Sequence, residues 1–171
     1  MLRSPVMAFD ESSLLSFDRI PRIDGLPPSG AIAIGHRVEA CETSALVPHA
    51  NNIVILSWID AAAALHGDLA GASRTSLAAR GRMWFVARHE VDYLGEAFVG
   101  DALAIATWVE QLGRTSLVRA TRIVRAEDGA LLVHARSRWA LVDLGTRRPT
   151  AIDESVRVAW ATQATRSTGS M

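Results

Sequence analysis

The sequence predicts an α+β fold in which one curved antiparallel sheet wraps a single long central helix. Three observations predict it. Residues 53–65 are apolar on nearly every side, which suits a helix enclosed by the rest of the fold rather than one lying on its surface. Four long strand candidates follow that helix. The turns between them are short, and strands joined by short turns are antiparallel neighbours. One sheet facing one very apolar helix must curl around it, so the class is α+β and not doubly wound.

Taken in order, residues 1–30 read as an extension punctuated by Pro5, Pro21, Gly25, Pro27, Pro28 and Gly30. A short helix is expected within it over residues 11–20, through Leu14, Leu15, Phe17 and Ile20. Residues 31–40 suggest a strand, and 41–47, without a clear period, a loop. Pro48 to Asn52 opens the long helix, because an Asn side chain accepts from the orphan amides of a first turn and both Asn51 and Asn52 stand there. The helix should end near His66 or Asp68, and residues 69–80 read as a polar connection. Strands are predicted over 82–93, 102–112, 117–125 and 131–144. Asp128-Gly129 signals a tight hairpin, with both central positions expected at positive φ. The domain proper is therefore 31–152, flanked by the extension 1–30 and a C-terminal tail, 153–171.

Composition narrows the function. The 171 residues carry 18 cations and 18 anions, which excludes a nucleic-acid binder driven by bulk positive charge and an acidic disordered tail. Every cation is Arg, so no Lys nucleophile, Schiff base or phosphate-loop Lys is available. One Cys, Cys41, excludes an internal disulfide and a Cys-based zinc site. No His/Asp spacing supports another metal. The first thirty residues lack the long apolar stretch of a secretory signal, and residues 53–65, interrupted by Asp60, are too short to span a bilayer. A cytoplasmic protein with no membrane partner is the expectation.

The segment Pro48-His49-Ala50-Asn51-Asn52-Ile53-Val54-Ile55-Leu56-Ser57-Trp58-Ile59-Asp60 resembles the loop and central helix of the hotdog-fold thioesterases, the group of the 4-hydroxybenzoyl-CoA thioesterase-like and acyl-carrier-protein thioesterases. Downstream, Val91-Asp92-Tyr93-Leu94-Gly95-Glu96-Ala97 with Gly100-Asp101 resembles the family's second strand, its loop and the opening of the third. Leu112-Gly113-Arg114-Thr115-Ser116 resembles the turn into the fourth strand, and Val142-Asp143-Leu144-Gly145-Thr146-Arg147-Arg148-Pro149 the exit from the last. The resemblance covers roughly residues 31–152. It implies a hotdog fold, a homodimer or homotetramer with active sites at the subunit interface, and metal-free hydrolysis of an acyl thioester. Coenzyme A or phosphopantetheine enters only as part of the substrate, carried free as acyl-CoA or on acyl-carrier protein. Two departures stand out: Ala45 holds the place of a common loop Asp, and Ile55 that of a common helix Tyr. Glu39 and Glu42 lie close in sequence to the missing carboxylate.

Thioester hydrolysis needs a polarised carbonyl and an activated water, and little help for the leaving thiolate, because a thiol has a pKa of about 8.5. The helix N-terminus marked by Asn51 and Asn52 is the expected oxyanion hole, since free amides there carry partial positive charge. Asp60, eight residues after Asn52, is the expected activator of water, with a structural ion pair to an Arg as the competing role. His49 is expected to line the site. Ile53, Ile55 and Trp58, with Arg80 and Arg82, are the expected substrate contacts. His134, Arg136 and Arg138 share one strand face, which is either solvated or a phosphate patch. Two other functions fit the same residues: a non-catalytic acyl-CoA-binding hotdog module, and a hydratase or dehydratase of enoyl thioesters.

Overall fold

The computed structural model describes residues 7–17, 20, 30–44 and 46–166, with side chains as far as Trp160. Pro5, Pro21, Gly25, Pro27, Pro28 and Ala45 lie outside the described residues. Nine elements follow in order: β1 (Leu14–Leu15), β2 (Ile32–Arg37), α1 (Asn52–Leu69), α2 (Arg74–Ala79), β3 (Arg82–Tyr93), β4 (Ala102–Leu112), β5 (Ser116–Arg125), β6 (Leu131–Asp143) and α3 (Glu154–Arg166). The strands form one antiparallel sheet in the order β1-β2-β4-β5-β6-β3, which leaves β3 at an edge. Register shifts at Val86/Arg88, Val109/Gln111 and Ile123/Val124 break the ladders, and each such bulge bends the sheet.

Helix α1 lies on the concave face. Ile55, Trp58, Ile59, Ala62 and Leu65 are buried against the inward side chains of the strands, among them Ile34, Leu103, Ile105, Ile123, Val133 and Ala135. Trp58 and Ile59 are fully enclosed, and truncating a side chain of that size in a core costs about 3–5 kcal/mol. A second apolar cluster joins the C-terminal half of α1 to α2, α3 and β6 through Ala63, Leu77, Val156, Trp160 and Trp139. The segment from 153, read as a tail, is thus helical over Glu154–Arg166 and contributes to the core.

Three local expectations are corrected. In place of a helix, the described residues after Asp10 form a 3-10 turn, Glu11–Ser13, and then β1. Asp10 accepts from Ser12 N at 2.9 Å and so caps a turn, while Leu14 and Leu15 pair with Ile34 and Ala33. Gly35 makes room for this, since a Cβ there would stand 3.1 Å from Leu15 Cδ2. The polar connection 69–80 contains α2, capped by Ser73 Oγ accepting from Ser76 N at 3.0 Å and anchored by the buried Leu77. At the β5–β6 hairpin only Gly129 takes a positive φ, 72°. Asp128 supplies a side-chain brace instead, accepting from Ala130 N at 3.0 Å.

Candidate active site

The first turn of α1 is tied down on two sides. Asn51 Oδ1 accepts from Ile53 N at 2.9 Å and Val54 N at 3.1 Å, and Ile55 N donates to Asn51 O. Asn51 is therefore a cap, and the oxyanion hole expected here shrinks to one donor. Asn52 N–H is the first-turn amide without a partner among the described residues, and Asn52 is exposed. The loop between β3 and β4 meets this terminus: Ala50 N donates to Ala97 O at 2.8 Å and His49 bridges Phe98. His49 Nδ1 then lies 2.6 Å from Glu96 Oε1, with both side chains reachable from solvent. A carboxylate only accepts, so the Nδ1–H is fixed toward Glu96 and Nε2 is left for another partner. Arg125 holds the loop, donating from Nη2 to Glu96 O at 2.7 Å and from Nε to Asp101 Oδ2 at 3.1 Å. Around the terminus Leu46, Val47, Ile53, Leu94, Phe98 and Val99 are exposed, Ile53 by 74%.

Asp60 sits two turns further along α1. Its side chain is 39% exposed, and Arg74 Nη2 donates to its Oδ1 at 2.6 Å. Oδ2 has no partner among the described residues. Arg74 in turn lies 6.0 Å from the Trp139 ring centroid. His89, on the inward face of β3, places Nδ1 2.7 Å from Ser137 Oγ. Burial pulls the His89 pKa below its ordinary value, and the charge of Asp60 offsets part of that.

Beside Asp60 a cavity opens between α1 and the sheet, walled by Ala63, Ala64 and Gly67 of α1 and by Trp84, Trp139 and Trp160. Two Arg residues line it as well, Arg74, half-exposed, and Arg119, buried. Arg119 donates from Nη1 to His66 Nδ1 at 2.5 Å. Sequence reasoning missed Glu96, Arg74 and Arg119. The first two leave no local signal, whereas Arg119 alternates with Leu117, Thr121 and Ile123 along β5 and so shares their inward face.

The expected substrate contacts divide. Ile53 is open to solvent, but Ile55 and Trp58 belong to the core, a correction that follows from their helical spacing toward the sheet. Trp58 Nε1 donates to Glu42 Oε1 at 2.8 Å, and the same carboxylate lies 2.9 Å from His36 Nε2 and accepts from Glu39 N at 2.8 Å. Glu42 is therefore a buried brace with its acceptors occupied, not a replacement for the loop carboxylate. Arg80 and Arg82 are not free phosphate ligands either: Arg80 Nη1 donates to Asp153 Oδ2 at 3.0 Å and Arg82 Nη1 to Asp153 Oδ1. On the outward face of β6, Arg136 pairs with Glu110 at 2.6 Å and His134 lies 3.7 Å from Asp92.

Comparison with known proteins places this geometry in a family. The chain is 30% identical over 78 residues to a chloroplastic acyl-[acyl-carrier-protein] hydrolase of Cuphea viscosissima, covering 46% of this chain and 19% of that one. It spans about a fifth of the length of the curated relatives it matches, 19% and 18%. A 1,4-dihydroxy-2-naphthoyl-CoA thioesterase from Synechocystis superposes with a TM-score of 0.71 at 16% identity, covering 77% of this chain and 96% of that one. A Staphylococcus aureus protein in complex with CoA superposes with a TM-score of 0.73 at 16% identity, over 78% of this chain and 83% of that one. The curved sheet around α1 is the hotdog fold. The model of the thioesterase-like superfamily matches residues 45–160, and with both the α1 terminus and the cavity inside that segment, the chain belongs to that family.

Proposed function

We propose that the chain hydrolyses acyl thioesters of coenzyme A or acyl-carrier protein, at sites shared between two copies: Asp60 of one activates water, and the α1 N-terminus of the other receives the carbonyl oxygen. The position of Asp60 carries this reading. It is half-exposed, with Oδ2 open, bonded to the Arg74 that lines an apolar cavity, and its charge acts on His89 of the edge strand β3. Eight helical residues put it about 12 Å from Asn52 along the axis and about 80° around it. Asp60 and Asn52 of one chain therefore do not meet on one carbonyl. Antiparallel pairing of β3 with its mate about a two-fold axis would turn the two α1 helices antiparallel, laying the N-terminus of each beside the later turns of the other. Such a copy would cover Phe85, Val86 and Tyr93 on β3 and Ile53 and Phe98 at the terminus, apolar side chains now exposed.

In this arrangement Asp60 Oδ2 takes a proton from water as its oxygen adds to the thioester carbon. Arg74 holds Oδ1 and so leaves Oδ2 for the water. Asn52 N–H meets the developing oxyanion, His49 holds the attacking water through Nε2, and collapse of the tetrahedral intermediate expels the thiolate. The lone, exposed Cys41 suits a reducing compartment, and we place the work in the cytoplasm.

The test is thiol release from an acyl-CoA panel, followed alongside enoyl absorbance. Asp60→Asn should lower kcat by about 10²-fold or more. Co-assembling inactive Asp60→Asn with inactive His49→Gln should restore about a quarter of wild-type activity, because half the dimers are mixed and each carries one intact site. No recovery overturns the shared site. Undiminished turnover in Asp60→Asn removes it as the base. Loss of enoyl absorbance without thiol release would identify a hydratase, and ligand-induced stabilisation with neither signal a binding module.

A further inference from the structure

The cavity beside α1 holds a charge that the proposed hydrolysis leaves unused. Arg119 is 3% exposed, and its described partners are His66 Nδ1 at 2.5 Å and Thr107 Oγ1 at 3.4 Å. Neither is an anion, and among the described residues no carboxylate lies within ion-pair distance of it. Interior Arg is ordinarily matched by a carboxylate, because an unpaired charge in an apolar interior is costly. Burial lowers its pKa to about 10, so it is still a cation at neutral pH. Two more donors share the cluster: the indole N–H groups of Trp139 and Trp160 are buried and have no acceptor among the described residues. All three side chains line one cavity, in which about 30 Å³ is open to the centre of a water-sized sphere. That is room for about two waters or one carboxylate. Arg74, by contrast, is already neutralised by Asp60.

We infer that the cavity seats the far end of the acyl group and that this end is a carboxylate, so that the substrate class is the monothioester of a dicarboxylic acid. One guanidinium and two indole donors supply what a carboxylate needs, and the apolar walls of Ala63, Ala64 and Trp84 suit the methylenes before it. The inference rests on the reading of Asp60 as the water-activating group. Ala64 is one turn of α1 beyond Asp60, about 6 Å along the axis, so a chain of a few carbons reaches from the carbonyl to the cavity.

The experiment compares kcat/KM for succinyl-, glutaryl- and adipoyl-CoA with that for butyryl-, valeryl- and hexanoyl-CoA. Wild type should prefer at least one dicarboxylate thioester over its chain-matched partner by about tenfold or more, the scale of a hydrogen-bonded charge. Arg119→Met should erase that ratio, and Arg119→Lys should keep part of it. Hydrolysis of both series without preference overturns the inference and leaves the thioesterase reading standing, as does a ratio unmoved in Arg119→Met. If neither series is hydrolysed, the cavity is judged by binding alone. Free glutarate should then change the tryptophan fluorescence and raise the melting temperature of wild type where valerate does not. Equal effects of the two acids, or none, overturn the inference.

Discussion

Arg119→Met should make the folded protein more stable, and the size of the gain follows from the surroundings of Arg119. Burial lowers its pKa from the ordinary Arg value to about 10, which corresponds to about 3 kcal/mol of charge burial carried by the fold at neutral pH. Met fills a similar volume without the charge. Against that gain, His66 Nδ1 loses the Arg119 donor, at a cost of about 1–2 kcal/mol. Thr107 Oγ1 loses little, because it also donates to Ala120 O at 3.0 Å and lies 3.2 Å from Thr121 Oγ1. The net is a gain of about 1–2 kcal/mol, or a rise in melting temperature of roughly 2–8 °C for a chain of this size. Thermal unfolding followed by circular dichroism is the assay, at one protein concentration because association shifts the midpoint. The pH dependence supplies a second arm. Below pH 10 both the folded and the unfolded chain hold the proton, so the cost is fully present and the gap between variant and wild type is flat. Above pH 10, until the unfolded chain also loses its proton, the unfolded chain binds more protons than the folded one, wild-type stability rises, and the gap narrows. A melting temperature that drops by several degrees in Arg119→Met would show that this Arg stabilises the fold, and the case for a missing anion would fall with it.

Two further outcomes are expected. Glu42→Gln should cost about 2–3 kcal/mol in urea unfolding, because one amide cannot accept from His36, Trp58 and Glu39 N together and brings donors of its own into a buried site; a loss below about 0.5 kcal/mol would show that the carboxylate is not the brace. His89 has its pKa lowered in the fold, so the unfolded chain takes up the proton first and wild-type stability should decline as pH falls below 6.5. His89→Gln should flatten the curve from that point down to the folded-state pKa, and an unchanged slope would refute the assignment.

The elements that reveal themselves in the sequence are those whose pattern is set by burial. Helix α1 ends at Leu69, one residue beyond the expected range, because its all-round apolarity reflects enclosure by the sheet. Strands β3 and β4 match the expected residues because both are bounded by turn residues and carry long β-prone runs. Strand β1 and helix α2 escaped because neither has a period long enough to read. β1 is two residues held by pairing with Ile34 and Ala33, and α2 is a single turn and a half kept in place by the Ser73 cap and Leu77. Both owe their form to tertiary contacts, which a local pattern does not encode.

The site was legible where a residue breaks its local pattern and hidden where its meaning depends on a distant partner. Asp60 interrupts an apolar helix and so draws notice, but Arg74, 14 positions on, reads as one more polar residue of a connection. His49 shows in its motif, while Glu96 is 47 positions away and reaches it through a loop held by Arg125, by the Ala50–Ala97 hydrogen bond and by the His49–Phe98 bridge. Arg119 and Arg122 make the sharper contrast, since they are three residues apart on one strand and face opposite sides of the sheet. Arg122 is half-buried on the outward face, over the Trp108 ring at 5.4 Å and within the field of Glu110. Arg119 points inward among Leu117 and Ile123, where its partners among the described residues are the His66 ring and the Thr107 hydroxyl. A balance of 18 cations and 18 anions conceals this difference, because it sums over both faces. Strand parity, read against the apolar neighbours of each Arg, separates a surface charge from an interior one, and on β5 it is the inward Arg119 whose positive charge sets the sign of the group proposed for the cavity.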